Sequence, residues 1–225
     1  MDLTPVTLEG THVRLEPVHL EHAAALWRIG AYEEIWRYIP YVIRSEDDMR
    51  AFIAAELRKQ QAGLTCRWVT MAQTSSQPVG STSYMNIERQ HRRLEIGGTW
   101  ITPPWQRTVV NTEAKYLQLS HAFETLGCRR VEFKTDSLNV KSRRALARIG
   151  AVEEGTFRNH MVMPDGRLRH SVYFSIIDSE WPSVKAHLER LMSSYTHDTH
   201  KEGRYAPSAD TVADKESGDH EAAHR

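Results

Sequence analysis

The sequence predicts a mixed α/β fold, an α+β arrangement in one sheet with helices on both faces. Three observations carry that expectation. The centre of the chain reads strand, long turn, helix, strand, helix over residues 93–150. Stretches that alternate polar and apolar residues lie on both sides of it, as antiparallel strands do. Hydrophobic residues make up 40% of 225, enough for a real core.

Taken in order, His12–Pro17 (HVRLEP) alternates as a first strand. Glu21–Ile29 and Tyr32–Tyr38 read as short helices rich in aromatics. Ser45 precedes Glu46, Asp47 and Asp48, an N-cap followed by acids in the first turn, and the helix runs to Ala62 before Gly63. Arg67–Ala72 and Pro78–Glu88 form a strand pair turned at Ser75-Ser76-Gln77-Pro78. Arg93–Thr102 is a further strand, and Gly97-Gly98 in its interior mark either a bulge or close backbone approach or a weak edge strand.

After Pro103-Pro104, Trp105–Asn111 reads as a loop leading into a helix capped by Asn111 or Thr112. Tyr116, Leu119, Phe123 and Leu126 give that helix its buried stripe, and Gly127 ends it. Arg130–Asp136 is a strand. Asn139 caps a helix to Ile149, closed by Gly150. Ala151–Met163 and Leu168–Ile177 form an antiparallel pair turned at Pro164-Asp165-Gly166. Ser179 caps a last helix with Pro182 in its first turn.

Two units are expected: a domain over 1–192 and a disordered polar, acidic tail over 193–225. The tail holds four Lys/Arg against seven Asp/Glu and lacks Leu, Ile, Phe, Trp and Met, so it cannot bury enough apolar surface to offset its ordering entropy. Its histidines, at irregular spacing, read as solvated.

Composition excludes several classes. Lys+Arg and Asp+Glu both number 29, so the field that nucleic-acid binding requires is missing. No apolar run approaches a membrane span, and MDLTPVTLEG does not read as a secretory signal, which leaves a cytoplasmic location as the expectation. Cys66 and Cys128 show neither a disulfide framework nor metal-ligand spacing, so no metal is expected.

The chemistry concentrates between Trp100 and Gly150. A strand ending Trp100-Ile101-Thr102 feeds a loop and then a helix N-terminus, where free amides and the helix dipole favour an anion such as a pyrophosphate. Gln106 and Arg107 add donors. Ser142 shares a stripe with Ala145, Leu146 and Ile149, which turns its hydroxyl toward the sheet; it serves either a ligand or a nearby carbonyl. Glu95, in the glycine-bearing strand, is either a proton acceptor or an acid paired to a neighbouring strand. His160, two residues from Arg158 and so on the same side of its strand, is either a base near neutral pH or a packing histidine. Trp27, Trp36, Tyr38, Tyr41 and Tyr84 supply aromatic walls for a core or for a slot.

From about Leu8 to Met192 the chain resembles the GNAT acetyltransferase superfamily, within it the branch of the ribosomal-protein N-terminal acetyltransferases RimJ and RimL. The matching stretches are LEGTHVRLEPV, EIGGTWITPPWQ, NTEAKYLQLSHAFETLG, RRVEFKTDSLNVKSRRALARIGAVEEGTFRNH and SEWPSVKAHLERL. The resemblance implies a mostly antiparallel sheet splayed at its middle. It implies acetyl-coenzyme A as co-substrate and direct attack by a primary amine, on a protein N-terminus or a small molecule, in a ternary complex. It implies a pyrophosphate held over Gln106, Arg107, Thr108, Val109, Val110, Asn111 and Thr112, with the pantetheine arm along Trp100, Ile101 and Thr102. Asn139 would bond that arm, Arg143 would reach the adenosine phosphates, and Ser142 would protonate the leaving thiolate. Family members often form homodimers. In the family's Q/R-x-x-G-x-G/A pattern, Val109 and Asn111 replace the preferred small residues, and Met161 stands where other members carry a glutamate. The valine keeps a second reading open: a degenerate module that binds acyl-coenzyme A as a sensor or scaffold.

Overall fold

The computed structural model describes residues 1–196. Its strands are β1 (Leu8–Glu9), β2 (Val13–Pro17), β3 (Cys66–Ala72), β4 (Gln77–Glu88), β5 (Arg93–Ile101), β6 (Arg130–Asp136), β7 (Val152–Val162) and β8 (Leu168–Ile177). The helices are α1 (Ala23–Gly30), α2 (Glu33–Trp36), α3 (Glu46–Gln61), α4 (Val109–Ser120, continued by a π-helical turn over His121–Thr125), α5 (Val140–Arg148) and α6 (Trp181–Thr196). Helix α6 carries the chain four residues into the expected tail; the rest of that tail lies outside the described residues. Among the described residues no helix is long and apolar enough to cross a membrane.

One eight-stranded sheet runs β1-β2-β3-β4-β5-β6-β8-β7. Every pairing is antiparallel except β5 with β6. That parallel ladder holds only Arg93–Arg130, Leu94–Val131 and Glu95–Glu132. Beyond Glu95 the two strands separate, and β6 continues against β8 alone.

The strand alternation builds two cores. Trp68, Tyr84, Leu94, Ile96, Val131, Phe133 and Phe174 pack with Val110, Leu119, Leu146, Ile149 and Leu188, so α4, α5 and α6 cover one face. Val69 and Trp100 pack with Leu26, Trp36, Met49 and Ile53, so α1–α3 cover part of the other. The predicted glycine bulge is present. Ser81 and Ser83 oppose Trp100 and Gly97, which leaves one extra residue in β5. The bulge reverses the alternation, so Leu94 and Ile96 serve the first core and Trp100 the second. Gly98 carries φ +57, and a Cβ there would sit 2.7 Å from Arg67 Nη2.

Local signals placed most boundaries. Ser45 Oγ accepts from the Asp48 amide at 3.0 Å, and Asn139 Oδ1 accepts from the Ser142 amide at 3.1 Å. Two caps differ from the sequence reading. Helix α4 begins at Val109, capped by Thr108, not at Asn111 or Thr112, because the Thr108 hydroxyl takes the Val110 amide. Helix α6 follows Glu180, whose carbonyl accepts the Ser183 and Val184 amides, so the cap lies one residue past Ser179.

Glu113, one turn into α4, ties the N-terminal segment to the body. Its carboxylate accepts the amides of Thr11 (3.0 Å), His12 (2.6 Å) and Val13 (2.7 Å). Glu113→Gln turns a donor toward amides that need acceptors. It is expected to cost roughly 2–4 kcal/mol, read as a lower urea midpoint.

Candidate active site

The separation of β5 from β6 has the α4 and α5 N-termini on one face of the sheet and a polar floor on the other. On the helical side, helix geometry leaves the first-turn amides of α4 without carbonyl partners of their own, and Thr108 engages one of them. Val109 has ordinary helical backbone and a buried side chain. The position therefore needs no glycine, and the valine packs inward. Arg107, two residues earlier, is exposed and holds φ +65, a strained turn for a side-chain-bearing residue.

The predicted loop residues divide. Gln106 Nε2 donates to the Ile101 carbonyl at 3.0 Å, which clips the loop to the end of β5. Thr102 is buried, and its amide donates to the Val79 carbonyl. Thr112 is buried and accepts from Arg148 Nη2 at 2.8 Å, which joins α4 to α5. Val110 belongs to the core. Thr102, Val110 and Thr112 thus build the site's frame, whereas Gln106, Arg107, Thr108 and Asn111 are at least partly exposed. Trp100 packs against Trp36 with ring centroids 5.6 Å apart.

Asn139 caps α5, and Ser142 follows in its first turn, half-buried on the stripe with Leu146 and Ile149. Ser142 Oγ makes no hydrogen bond among the described residues, so it is not tied to a carbonyl. Arg143 is drawn to Glu153 at 3.2 Å.

On the other face, Glu95 marks the last rung before β5 and β6 part. It is 2% exposed. Its Oε2 accepts from Asn86 Nδ2 at 2.7 Å and lies 3.4 Å from Lys134 Nζ, while Oε1 lies over Gly97. Lys134 in turn lies 5.8 Å from the centroid of Tyr173, whose ring meets His160 edge-on at 5.8 Å. Glu95 and His160 therefore share one floor across β5, β6, β8 and β7. A cavity of about 530 Å³ is lined by Glu95, Glu132, Glu154, Phe157 and Tyr173 among others.

The β7 register slips between Phe157 and Met161, with Asn159 at φ +49, so simple alternation does not decide where His160 points. His160 Nδ1 lies 3.0 Å from Ser171 Oγ. Burial, then the charges of Lys134 and Arg169, push the imidazole below its ordinary pKa against the opposing pull of Glu95.

Of the aromatic set, Tyr84 is core: it is fully buried and donates to the Gln118 carbonyl at 2.5 Å. Trp36 is buried and donates to the Gly30 carbonyl. Tyr41 stacks on Phe52 at 4.8 Å, beside Arg67. The sequence reading missed the buried ions around the site: Arg67 with Glu56, Lys115, and Arg169. Their signal was charge at positions where strand or helix periodicity puts apolar neighbours.

The family model described as acetyltransferase (GNAT) domain matches residues 12–152. A Bacillus subtilis protein named "Putative ribosomal N-acetyltransferase YdaF" is 30% identical over 76% of this chain and 92% of its own. A GCN5-related N-acetyltransferase from Brucella melitensis superposes with TM-score 0.78 at 28% identity, over 84% of this chain and 86% of that one. A structure described as a "putative acetyltransferase" from T. thermophilus gives TM-score 0.77 at 38% identity, over 84% and 98%. With the splayed sheet and the α4 terminus in the same molecule, these matches mean that the chain belongs to the GNAT acetyltransferase family and is an acyltransferase.

Proposed function

We propose that the protein moves acetyl from acetyl-coenzyme A to a primary amine, and that the acceptor is a protein N-terminal amine or a small-molecule amine. The observation that carries this is the parting of β5 and β6 after Glu95, with the α4 terminus on one face and a buried carboxylate on the other. Acetyl-coenzyme A is the general acyl donor of the family. The likeness to a relative named for ribosomal N-acetylation supports the protein terminus.

In this reading the α4 first turn with Gln106, Arg107, Thr108 and Asn111 holds the pyrophosphate by amides and dipole. Asn139 and Arg143 flank the donor's path, and the end of β5 at Trp100–Thr102, past the point where β6 leaves it, lines it. Glu95 takes the proton from the attacking amine through a water molecule as the N–C bond forms. A backbone amide at the Gly98 bulge polarises the thioester carbonyl. As the C–S bond breaks, Ser142 donates its proton to sulfur from the helical side and is reprotonated from solvent. Acid and base thus act from opposite faces of the sheet, so neither displaces the other.

The test is titration with acetyl-coenzyme A, followed by a mass-detected transfer screen over N-terminal peptides and amines. Binding with acetylated product is expected; no binding at millimolar donor sinks the proposal. Glu95→Gln should lower turnover about 10²-fold or more while donor affinity holds.

A further inference from the structure

On the open half of the sheet, a buried guanidinium stands without an ion-paired carboxylate among the described residues. Arg169 in β8 is 4% exposed. Its Nε donates to Ser171 Oγ at 3.1 Å and its Nη1 to the Tyr38 carbonyl at 3.2 Å, in the segment between α2 and α3. Neighbouring Asp136 is taken by Arg167 Nη2 at 2.6 Å. Arg169 thus joins the segment after α2 to the β8 floor, and its hydrogen bond to Ser171 passes on to His160.

The order of donors along this chain follows from matching each buried proton to an acceptor. A guanidinium has no acceptor, so Ser171 Oγ must accept from Arg169. Were Oγ to accept from His160 as well, its single proton would be left unpaired, because Ser171 is fully buried and its Oγ meets only Arg169 and His160 Nδ1 among the described residues. That proton goes to Nδ1. Nδ1 is then an acceptor, so the imidazole carries its own proton on Nε2.

We infer that Arg169 and Ser171 hold His160 as a neutral Nε2–H donor, so that His160 binds an acceptor oxygen close to the amine and takes no proton from it. Arg169 and Ser171 are positioning residues; His160 touches the acceptor. The assignment rests on the acetyl-transfer reading for the identity of what His160 binds, but the tautomer does not. Proton abstraction falls to Glu95 alone.

Nitrogen-15 NMR of the full chain at neutral pH tests the tautomer without any acetylation assay, with His160→Gln to assign the signals. A hydrogen-bonded, unprotonated Nδ1 and a protonated Nε2 are expected. In Ser171→Ala the two tautomers should mix. A protonated Nδ1 in the wild type overturns the inference. Kinetics supply the second arm. His160→Ala should raise the acceptor KM about tenfold with kcat changed far less. His160→Gln, which retains an N–H donor, should recover most of that loss and keep the ionisation seen on the acid side of the pH profile. Loss of that limb in the glutamine variant makes His160 the base and sinks the inference. Absence of acetyl transfer in wild type with the expected tautomer would instead fault the proposed function alone.

Discussion

Arg67→Met is expected to remove about 3–5 kcal/mol of stability, a large part of what a domain this size holds. Arg67 is 2% exposed and lies in β3 on the face covered by α3. Its Nε meets Glu56 Oε2 at 2.9 Å, and Glu56 is 3% exposed. The same guanidinium reaches Ser81 Oγ (3.2 Å), Ser83 Oγ (3.3 Å) and the Gly98 carbonyl (3.4 Å), and it lies 4.9 Å from the Phe52 ring centroid. Burial pushes the Glu56 carboxyl up, but the Arg67 charge and the bonds from Lys59 and Arg67 outweigh it and hold the group below the ordinary carboxylate value. Methionine keeps the packing volume and leaves that carboxylate with only the half-exposed Lys59. The loss is therefore the cost of a stranded charge, not of an absent contact. Glu56→Leu added to Arg67→Met should return most of the stability, since an apolar pair of similar volume replaces the ion pair. Urea unfolding of the wild type, the single and the double variants decides it. A single variant with the wild-type midpoint refutes the buried-pair account. Because Arg67 also supports the bulge at Gly98, the double variant should stay folded and still lose turnover.

These buried ions show what a sequence does and does not disclose. Ser45, Asn139 and Gly97-Gly98 were legible because caps and bulges are local: the cap and its amide lie three residues apart. The start of α4 was read too late because Val109 and Val110 suggest loop or strand, yet core burial and the Thr108 hydroxyl make them the first turn. The role of Glu113 was not legible, because the amides it serves are about a hundred residues away. The site's halves were legible as residues but not as faces. Ser142 and Glu95 fall on opposite sides of the sheet because α5 packs Leu146 and Ile149 on the core that Leu94 and Ile96 face, while Glu95 between them points the other way, and that packing is not local. Arg67 shares its strand face with Val69 and Met71, opposite Trp68, so its inward position was visible in CRWVTMA, while its partner in α3 was not.

Lys115→Met is expected to remove a strong pH dependence of stability. Lys115 is 5% exposed on α4, on the core-facing side. Its Nζ lies 2.8 Å from Thr99 Oγ1, 3.2 Å from Gln118 Oε1 and 3.4 Å from Thr82 Oγ1, and it forms no ion pair among the described residues. Burial lowers its pKa from 10.5 to about 7. Between those values the unfolded chain binds a proton that the folded one does not, so stability rises with pH from about 7 toward 10.5. Below about 7 both states are protonated, and the folded protein carries a buried charge whose penalty is fully present. Methionine fills the stem's space without that charge. Thr82 and Thr99 stay bonded to each other at 2.7 Å, and Thr82 still donates to Gln118 at 3.1 Å, so the substitution orphans few groups. The variant should exceed the wild type at pH 6 by on the order of 3–4 kcal/mol, and the gap should close by about 1.4 kcal/mol per unit as pH rises past 7. Urea midpoints of both proteins at pH 6, 7.5 and 9 measure that difference, and subtraction cancels the carboxylates and histidines they share. Parallel profiles would mean that Lys115 stays charged throughout and that the threonine hydroxyls solvate it. Converging profiles would mean that a neutral amine lies beneath Thr99, next to the bulge that opens the sheet, and that near neutral pH the chain tolerates a charge there only at a cost to its fold.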